Sequence, residues 1–352
     1  MIETWEPVDA GDARFAREAT GVLRAFNEAG VLTAADVHVA ARLGDLVREP
    51  GEASRLALAL AVRAARHGSV CVDLAALMAE APELPWPVAD AGEWLAVARG
   101  SALADQVLRF EGDLVYLDRY HREEGQIRDD LLARLAASPP IVNEAILAES
   151  SARLFPGEQY AEQRSCAIAA VRQWTTVLTG GPGTGKTTTV RGLLALLEEQ
   201  ADQPLRIALT APTGKAAARL QESVGRPDLT ASTLHRLLGW RPGSSTRFRH
   251  HRGNTLPHDV IVVDETSMVS LTMMARLLEA VRPSARLILV GDADQLASVE
   301  AGAVLADLVE GLRLRAPAAV GQLRTARRFG EEIGELAAAL RAGDADAALA
   351  VL

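Results

Sequence analysis

The stretch Gly180 to Thr187, Gly-Gly-Pro-Gly-Thr-Gly-Lys-Thr, constrains this chain more than any other. It fits G-x-x-x-x-G-K-[ST] without a mismatch. Before it, Val177 and Leu178 read as a short buried parallel strand. After it, Val190 to Glu199 reads as an amphipathic helix. Strand, glycine-rich loop and helix in that order predict an α/β core with a parallel sheet. The glycines let successive backbone N–H groups converge on phosphate oxygens, and the helix N-terminus adds partial positive charge. Gly180, Gly181, Pro182, Gly183, Thr184, Gly185, Lys186, Thr187 and Thr188 are therefore the expected contacts to a nucleoside triphosphate. Lys186 is placed to reach the β- and γ-phosphates and Thr187 to hold Mg²⁺. A plain glycine-rich turn is the blander reading, and the complete pattern with both flanks argues against it.

Two further strand ends extend the pattern. Val260-Ile-Val-Val263 reads as a buried parallel strand with Asp264 and Glu265 at its C-terminal end. Ligands bind at that end in open α/β sheets. Asp264 is expected to hold Mg²⁺ through water, and Glu265 to orient and deprotonate an attacking water. Arg286 to Leu296 repeats the design, and Gln295 offers a neutral amide for the γ-phosphate. Gln163, heading a helix before the loop, is expected to read adenine, since one amide can donate and accept at once. That makes the nucleotide ATP. Gln159 competes for that role. Arg328 is a candidate γ-phosphate contact from a second lobe, with Arg327 beside it.

Other residues suit a polymer. Thr213 and Lys215 stand where a second strand breaks into a helix, a site fit for a backbone phosphate rather than a base. Thr233 and His235 offer a similar set. Arg241 to Leu256 is a local basic stretch with Phe248 within it, read either as a solvated loop or as a β-hairpin whose Phe248 stacks on a base. The net charge of −9 means that any nucleic acid must be met by such a local groove and not by the overall field.

The 352 residues suggest about two or three domains. The region 1–150 reads as a mostly helical module, with helices over Arg14–Ala29 and Ala53–Ala65, a short strand at Leu114–Leu117 and a charged, exposed helix over Arg119–Ala136. The proline-containing stretches at Ser138–Pro140 and Phe155–Gly157 place a boundary between them. Cys71 and Cys166 lie far apart without metal-ligand spacing and read as small core residues. No apolar run is long enough to span a bilayer. The acidic N-terminus lacks a signal-peptide pattern, and the expected location is the cytoplasm.

Taken together, Gly180–Thr188, Ala211–Ala216, Thr233–His235, Asp264–Met268, Gly291–Leu296 and Arg328–Phe329 resemble, in order and spacing, motifs I to IV of the superfamily 1 helicases that move 5′ to 3′. Gly68–Leu74 and Gly112–Tyr120 resemble the N-terminal domain of the RecD family of exodeoxyribonuclease V subunits. The resemblance implies an ATP- and Mg²⁺-dependent DNA helicase. Its partners would be a 5′-ended single strand at a duplex end and RecB and RecC subunits in a heterotrimer, with no membrane. It implies a RecC-docking domain over 1–150, a RecA-like lobe over 151–320 with a hairpin at about 241–256, and a second lobe beginning at 321. That family carries motifs V and VI in the second lobe, and this sequence ends at Leu352. The expectation is a fragment or truncated subunit that in isolation binds ATP weakly and barely hydrolyses it. A stand-alone RecD-like helicase, a P-loop kinase and a chain that only binds nucleotide and partner subunits are the alternatives.

Overall fold

The computed structural model describes residues 2–9, 11–240, 248–295, 301–302, 304–325, 343 and 345–351. The chain divides into two compact units, Met1–Gln126 with Val299–Gly302 and Ile127–Ser298 with Ala303–Leu352.

In the first unit, α1 (Gly21–Glu28), α2 (Ala34–Leu46) and α3 (Glu52–Arg66) precede β1 (Cys71–Asp73), α4 (Leu74–Glu80), α5 (Ala91–Arg99), β2 (Leu108–Glu111) and β3 (Leu114–Leu117). β3 lies between β1 and β2 in an antiparallel sheet. Leu56, Leu58 and Leu60 of α3 are all buried, so this nearly apolar helix is covered on more than one face. They share a core with Phe26, Leu32, Trp94 and Leu108. The Trp94 indole N–H donates to the carbonyl of Ala53 at 2.9 Å, which satisfies its one polar atom.

Two expectations here change. The helix sought over Arg14–Ala29 starts only at Gly21, because Asp12 accepts from the Arg14 backbone and guanidinium and holds that stretch in a turn. Gly21 itself has φ +56°, a break that a helix cannot run through. α2 went unforeseen, although Thr33 and Asp36 form the capping box that marks such a start.

The units part at Gln126–Ile127, inside α6 (Asp118–Ala136), and not near residue 150. α7 (Glu144–Leu154) explains the shift: Leu147 and the following Phe155 lie in one core with Leu193 and Leu197 of the second unit. Nor is α6 simply exposed, since Glu123, Ile127, Leu131 and Arg134 are buried.

The second unit continues with α8 (Ala161–Val171), β4 (Thr175–Gly180), α9 (Lys186–Glu199), β5 (Ile207–Ala211), α10 (Gly214–Val224), β6 (Ala231–Thr233), α11 (Leu234–Leu238), β7 (Val260–Val263), α12 (Leu271–Ala280), β8 (Arg286–Gly291), α13 (Val304–Arg315), β9 (Val320–Leu323) and α14 (Ala345–Val351). Six strands form one sheet in the order β6-β5-β7-β8-β4-β9, and every neighbouring pair is parallel. This is the expected α/β P-loop fold. β4 and β7 are buried along their whole length, which is why both read as unbroken apolar or small runs. β9 pairs with β4, Gly321 opposite Leu178, so residues 320–323 complete this sheet instead of opening a second lobe at 321. Ile333, Leu336 and Leu340, expected as an uncovered helix face, lie outside the described residues.

The N-terminal rim of the sheet is fastened by arginines. Arg134 is buried and donates to Thr175 Oγ1 at 2.6 Å and to the carbonyls of Arg282, Trp174 and Ala285 at 3.0, 2.8 and 2.6 Å. Arg286 donates to the carbonyls of Val171 and Gln173 at 2.6 and 3.1 Å. Burial pushes both guanidinium groups down to about 10. Asp259, just before β7, binds Arg206 and Arg282 at 2.9 and 2.8 Å, which holds its carboxyl well below the usual range. These contacts close the ends of β5, β7, β8 and β4 together.

Candidate functional site

The opposite, C-terminal rim gathers most of the residues singled out in the sequence. β4 ends at Gly180 and the chain enters the glycine loop. Gly183 and Gly185 have φ +76° and +91°, values a side chain resists. Gly185 is the N-cap of α9, so the helix begins at Lys186, earlier than its apolar pattern indicates. The Lys186 ammonium rests within the loop, donating to the carbonyls of Gly180 and Gly181 at 2.5 and 3.0 Å. Thr184 Oγ1 also donates to Gly181, at 2.9 Å. Thr187 is half-buried at the helix start, whereas Pro182 and Thr188 are exposed. Gly180 is required for a separate reason: a Cβ there would stand 2.6 Å from the Leu323 carbonyl.

Two strands away, β7 delivers Asp264. Its backbone N–H still pairs with Thr210 of β5 at 2.9 Å, so the residue is held in register. Burial pushes its carboxyl above the ordinary 3.8, the neighbouring Glu265 charge adds to this, and the Glu265 N–H and Lys186 pull it back. Glu265 adopts φ +52°, uncommon for a residue with a Cβ and costing on the order of 1 kcal/mol. The buried Thr266 secures the turn by donating to the Val263 carbonyl at 3.0 Å. The chain thereby veers off the strand at the second carboxylate.

β8 lies between these strands. Its terminal Gly291 faces the backbone amides of Ser267 and Thr266, which would meet a Cβ at 3.2 and 3.3 Å. Thr179 Oγ1 accepts from Ala293 N at 3.3 Å, and the exposed Gln295 accepts from Ser267 Oγ at 3.3 Å. Loop, carboxylates and amide thus leave three adjacent strands at one rim. The donor set of Thr187 and Asp264 suits Mg²⁺, which takes its other ligands from substrate phosphates and water. Lys186 is within electrostatic reach of Asp264.

Gln163, at the start of α8, is 1% exposed, and its Nε2 donates to the Thr184 carbonyl at 3.0 Å, a contact to the loop itself. Gln159, its competitor, is exposed in the turn before α8.

Of the remaining strands, β5 and β6 bear the residues suited to a polymer. Thr213 caps α10 and Thr233 caps α11, each accepting a backbone N–H at 3.2 Å. A hydroxyl that accepts in this way still has its own proton to donate. Lys215 and His235 are exposed. Trp240 and Phe248 pair as antiparallel partners, and the Phe248 ring lies 5.9 Å from that of His235. An isolated bridge thus closes the base of this stretch, while residues 241–247 and Arg328 lie outside the described residues. Sequence reasoning missed Thr179, Ser267 and Glu162. Thr179 is a small hydroxyl just before one recognised motif and Ser267 lies inside another, Asp264–Met268; a partner across the rim is what reveals both.

Two family models match the chain: the AAA domain over residues 163–301 and the N-terminal domain of RecBCD enzyme subunit RecD over residues 28–116. Among curated relatives, "RecBCD enzyme subunit RecD" of Mycolicibacterium smegmatis is 61% identical over 352 residues, covering 94% of this chain and 61% of the relative. The protein of the same name from Mycobacterium tuberculosis is 59% identical, covering 97% of this chain and 61% of the relative. The "ATP-dependent RecD2 DNA helicase" of Deinococcus radiodurans is 42% identical over 199 residues, covering 56% of this chain and 26% of that protein. The chain thus spans about three fifths of the length of the first two relatives. Among the described residues no helix is long and apolar enough to cross a membrane.

Proposed function

This chain is RecD-like, and from that premise we propose that it works as the ATP-dependent motor of a DNA helicase subunit that moves 5′ to 3′ on a single strand. The observation that carries the reading is the division of one rim: β4, β8 and β7 bear the phosphate loop, the amide and the carboxylates, while β5 and β6 bear Thr213, Lys215, Thr233 and His235. Nucleotide and polymer residues on neighbouring strands of one sheet suit a machine in which hydrolysis alters grip.

Bound ATP·Mg²⁺ supplies a reactive γ-phosphate and a divalent charge beside it. Lys186 exchanges its two loop carbonyls for phosphate oxygens, and Thr187 and Asp264 hold the ion. Glu265 orients a water and takes its proton. Gln295 meets the γ-phosphate and passes its presence through Ser267 to the turn after Glu265. Arg328 adds charge at the transition state. Thr213, Lys215, Thr233 and His235 hold the strand, and Phe248 stacks at the fork. In the assembled protein, replacing residues 241–247 by a short turn is expected to abolish strand separation and to spare hydrolysis driven by single-stranded DNA.

The match over residues 28–116 supports a subunit over a stand-alone enzyme. On this reading the first unit docks onto a RecC-type subunit, a RecB-type subunit completes the heterotrimer, and the assembly acts on duplex ends in the cytoplasm. Steady-state hydrolysis with and without single-stranded DNA tests the motor, with Lys186→Ala as the blank. Turnover indifferent to DNA would favour a P-loop phosphotransferase instead.

A further inference from the structure

The first turn of α8 carries two consecutive side chains that hold two different segments. Gln163 Nε2 donates to the Thr184 carbonyl of the phosphate loop at 3.0 Å. Glu162 accepts with a single oxygen from the backbone amides of Arg324 and Thr325, both at 3.1 Å. Those amides directly follow β9. Farther along the same helix, Cys166 packs against Gly321 of β9, where an added Cβ would stand 3.0 Å from Cys166 Sγ. β9 in turn presents the Leu323 carbonyl to Gly180. The start of α8, the exit of β9 and the phosphate loop therefore form one closed ring of contacts.

The two holds differ in kind. A carboxylate that accepts two backbone N–H groups makes charge-assisted bonds, roughly twice as strong as neutral ones. Arg324 and Thr325 are exposed, so packing contributes little to their placement there. The Gln163 bond is neutral but buried, where water cannot replace a lost partner. Any displacement of Thr184 on phosphate entry acts on Gln163. Glu162 and Gln163 are consecutive on the first turn of α8, so the two holds share one stretch of helix backbone.

We propose that Glu162 and Gln163 form a positioning pair that couples the phosphate loop to the residues directly after β9, Arg324 and Thr325. This rests on the reading of ATP at the loop. Glu162 touches no substrate; it acts through the backbone it holds.

Residue-resolved amide exchange at Arg324 and Thr325 tests the pair in the 352-residue chain. Glu162→Ala is expected to speed exchange there about 10-fold or more. Glu162→Gln keeps an acceptor oxygen and is expected to stay within about 3-fold of the parent. Unchanged exchange at Val177 to Thr179 would show that the sheet is intact in both variants. Gln163→Ala is expected to leave the nucleotide-free rates at Arg324 and Thr325 as they are and to remove the change that ATP·Mg²⁺ causes there. Equal protection in Glu162→Ala, or a nucleotide response that survives in Gln163→Ala, would overturn the proposal. A parent that binds a fluorescent ATP analogue without any response at these amides would overturn the coupling alone. A parent that binds no nucleotide would overturn the ATP reading and the coupling with it.

Discussion

The hydroxyl of Ser267 donates to Oε1 of Gln295 across 3.3 Å, joining the turn after Glu265 to the loop after β8. If Gln295 reports the γ-phosphate, this bond is the route by which the carboxylate turn receives the report. Ser267→Ala is expected to leave ATP affinity near the parent value and to reduce the stimulation by single-stranded DNA about 2- to 10-fold, the weight of one hydrogen bond. Rates with and without DNA, measured side by side, decide this. A fall of both by the same factor would mean that the bond only assembles the site.

Lys186 and Glu265 should separate binding from turnover. Lys186→Ala removes the one ammonium among the phosphate contacts and little buried volume, so hydrolysis and nucleotide affinity are both expected to collapse while the fold persists. Glu265→Gln keeps the shape and loses the proton acceptor. Nucleotide binding should survive, and turnover should drop by about 10²–10⁴-fold. Equal loss of binding in the two variants would count against these roles.

Asp264 links the site to pH. Its folded carboxyl lies above the ordinary 3.8, chiefly from burial, so the folded state holds this proton more tightly than the unfolded one. Ionisation therefore removes stability as pH rises from 3.8 through the raised value, and the nucleotide-free chain carries that cost at neutral pH. Asp264→Asn cannot ionise. It is expected to melt above the parent at neutral pH, with the gap closing as pH falls towards 3.8, and to lose Mg²⁺-dependent hydrolysis. Thermal melts across that range, without nucleotide, would refute the argument if the variant melted lower at neutral pH.

Gly180→Ala tests a glycine whose need arises from the sheet and not from phosphate. An added methyl would meet the Leu323 carbonyl at 2.6 Å and Thr184 Oγ1 at 2.8 Å. Backbone cannot swing aside like a side chain, so a loss of about 1–3 kcal/mol is expected in urea unfolding, with faster amide exchange along β9. Unfolding indistinguishable from the parent would show that β9 shifts freely.

The parts of this fold that were legible in the sequence are those whose signal is local. The glycine loop, the four β-branched residues before Asp264 and the apolar α3 each declare themselves within a few residues. What stayed hidden depends on partners far along the chain. Arg134 looks like one more charge on a polar helix until the carbonyls of Trp174, Arg282 and Ala285 surround it. Val320–Leu323 has too few apolar residues to announce a strand, and only its pairing with β4 makes it one. Gln163 could be singled out as a candidate from its position. Its burial against Thr184 could not be read there, because nothing in the spacing tells which way an amide turns.

The arginine-fastened rim has a mechanical meaning. With the starts of β5, β7, β8 and β4 tied through Arg206, Asp259, Arg282, Arg134 and Arg286, the strands cannot slide lengthwise past one another to absorb a push. A displacement at the opposite rim then meets a sheet clamped at its base, so the loops leaving the strands are the parts left to bend. The sheet resembles a comb held at its spine, and five residues distant from the glycine loop do the holding.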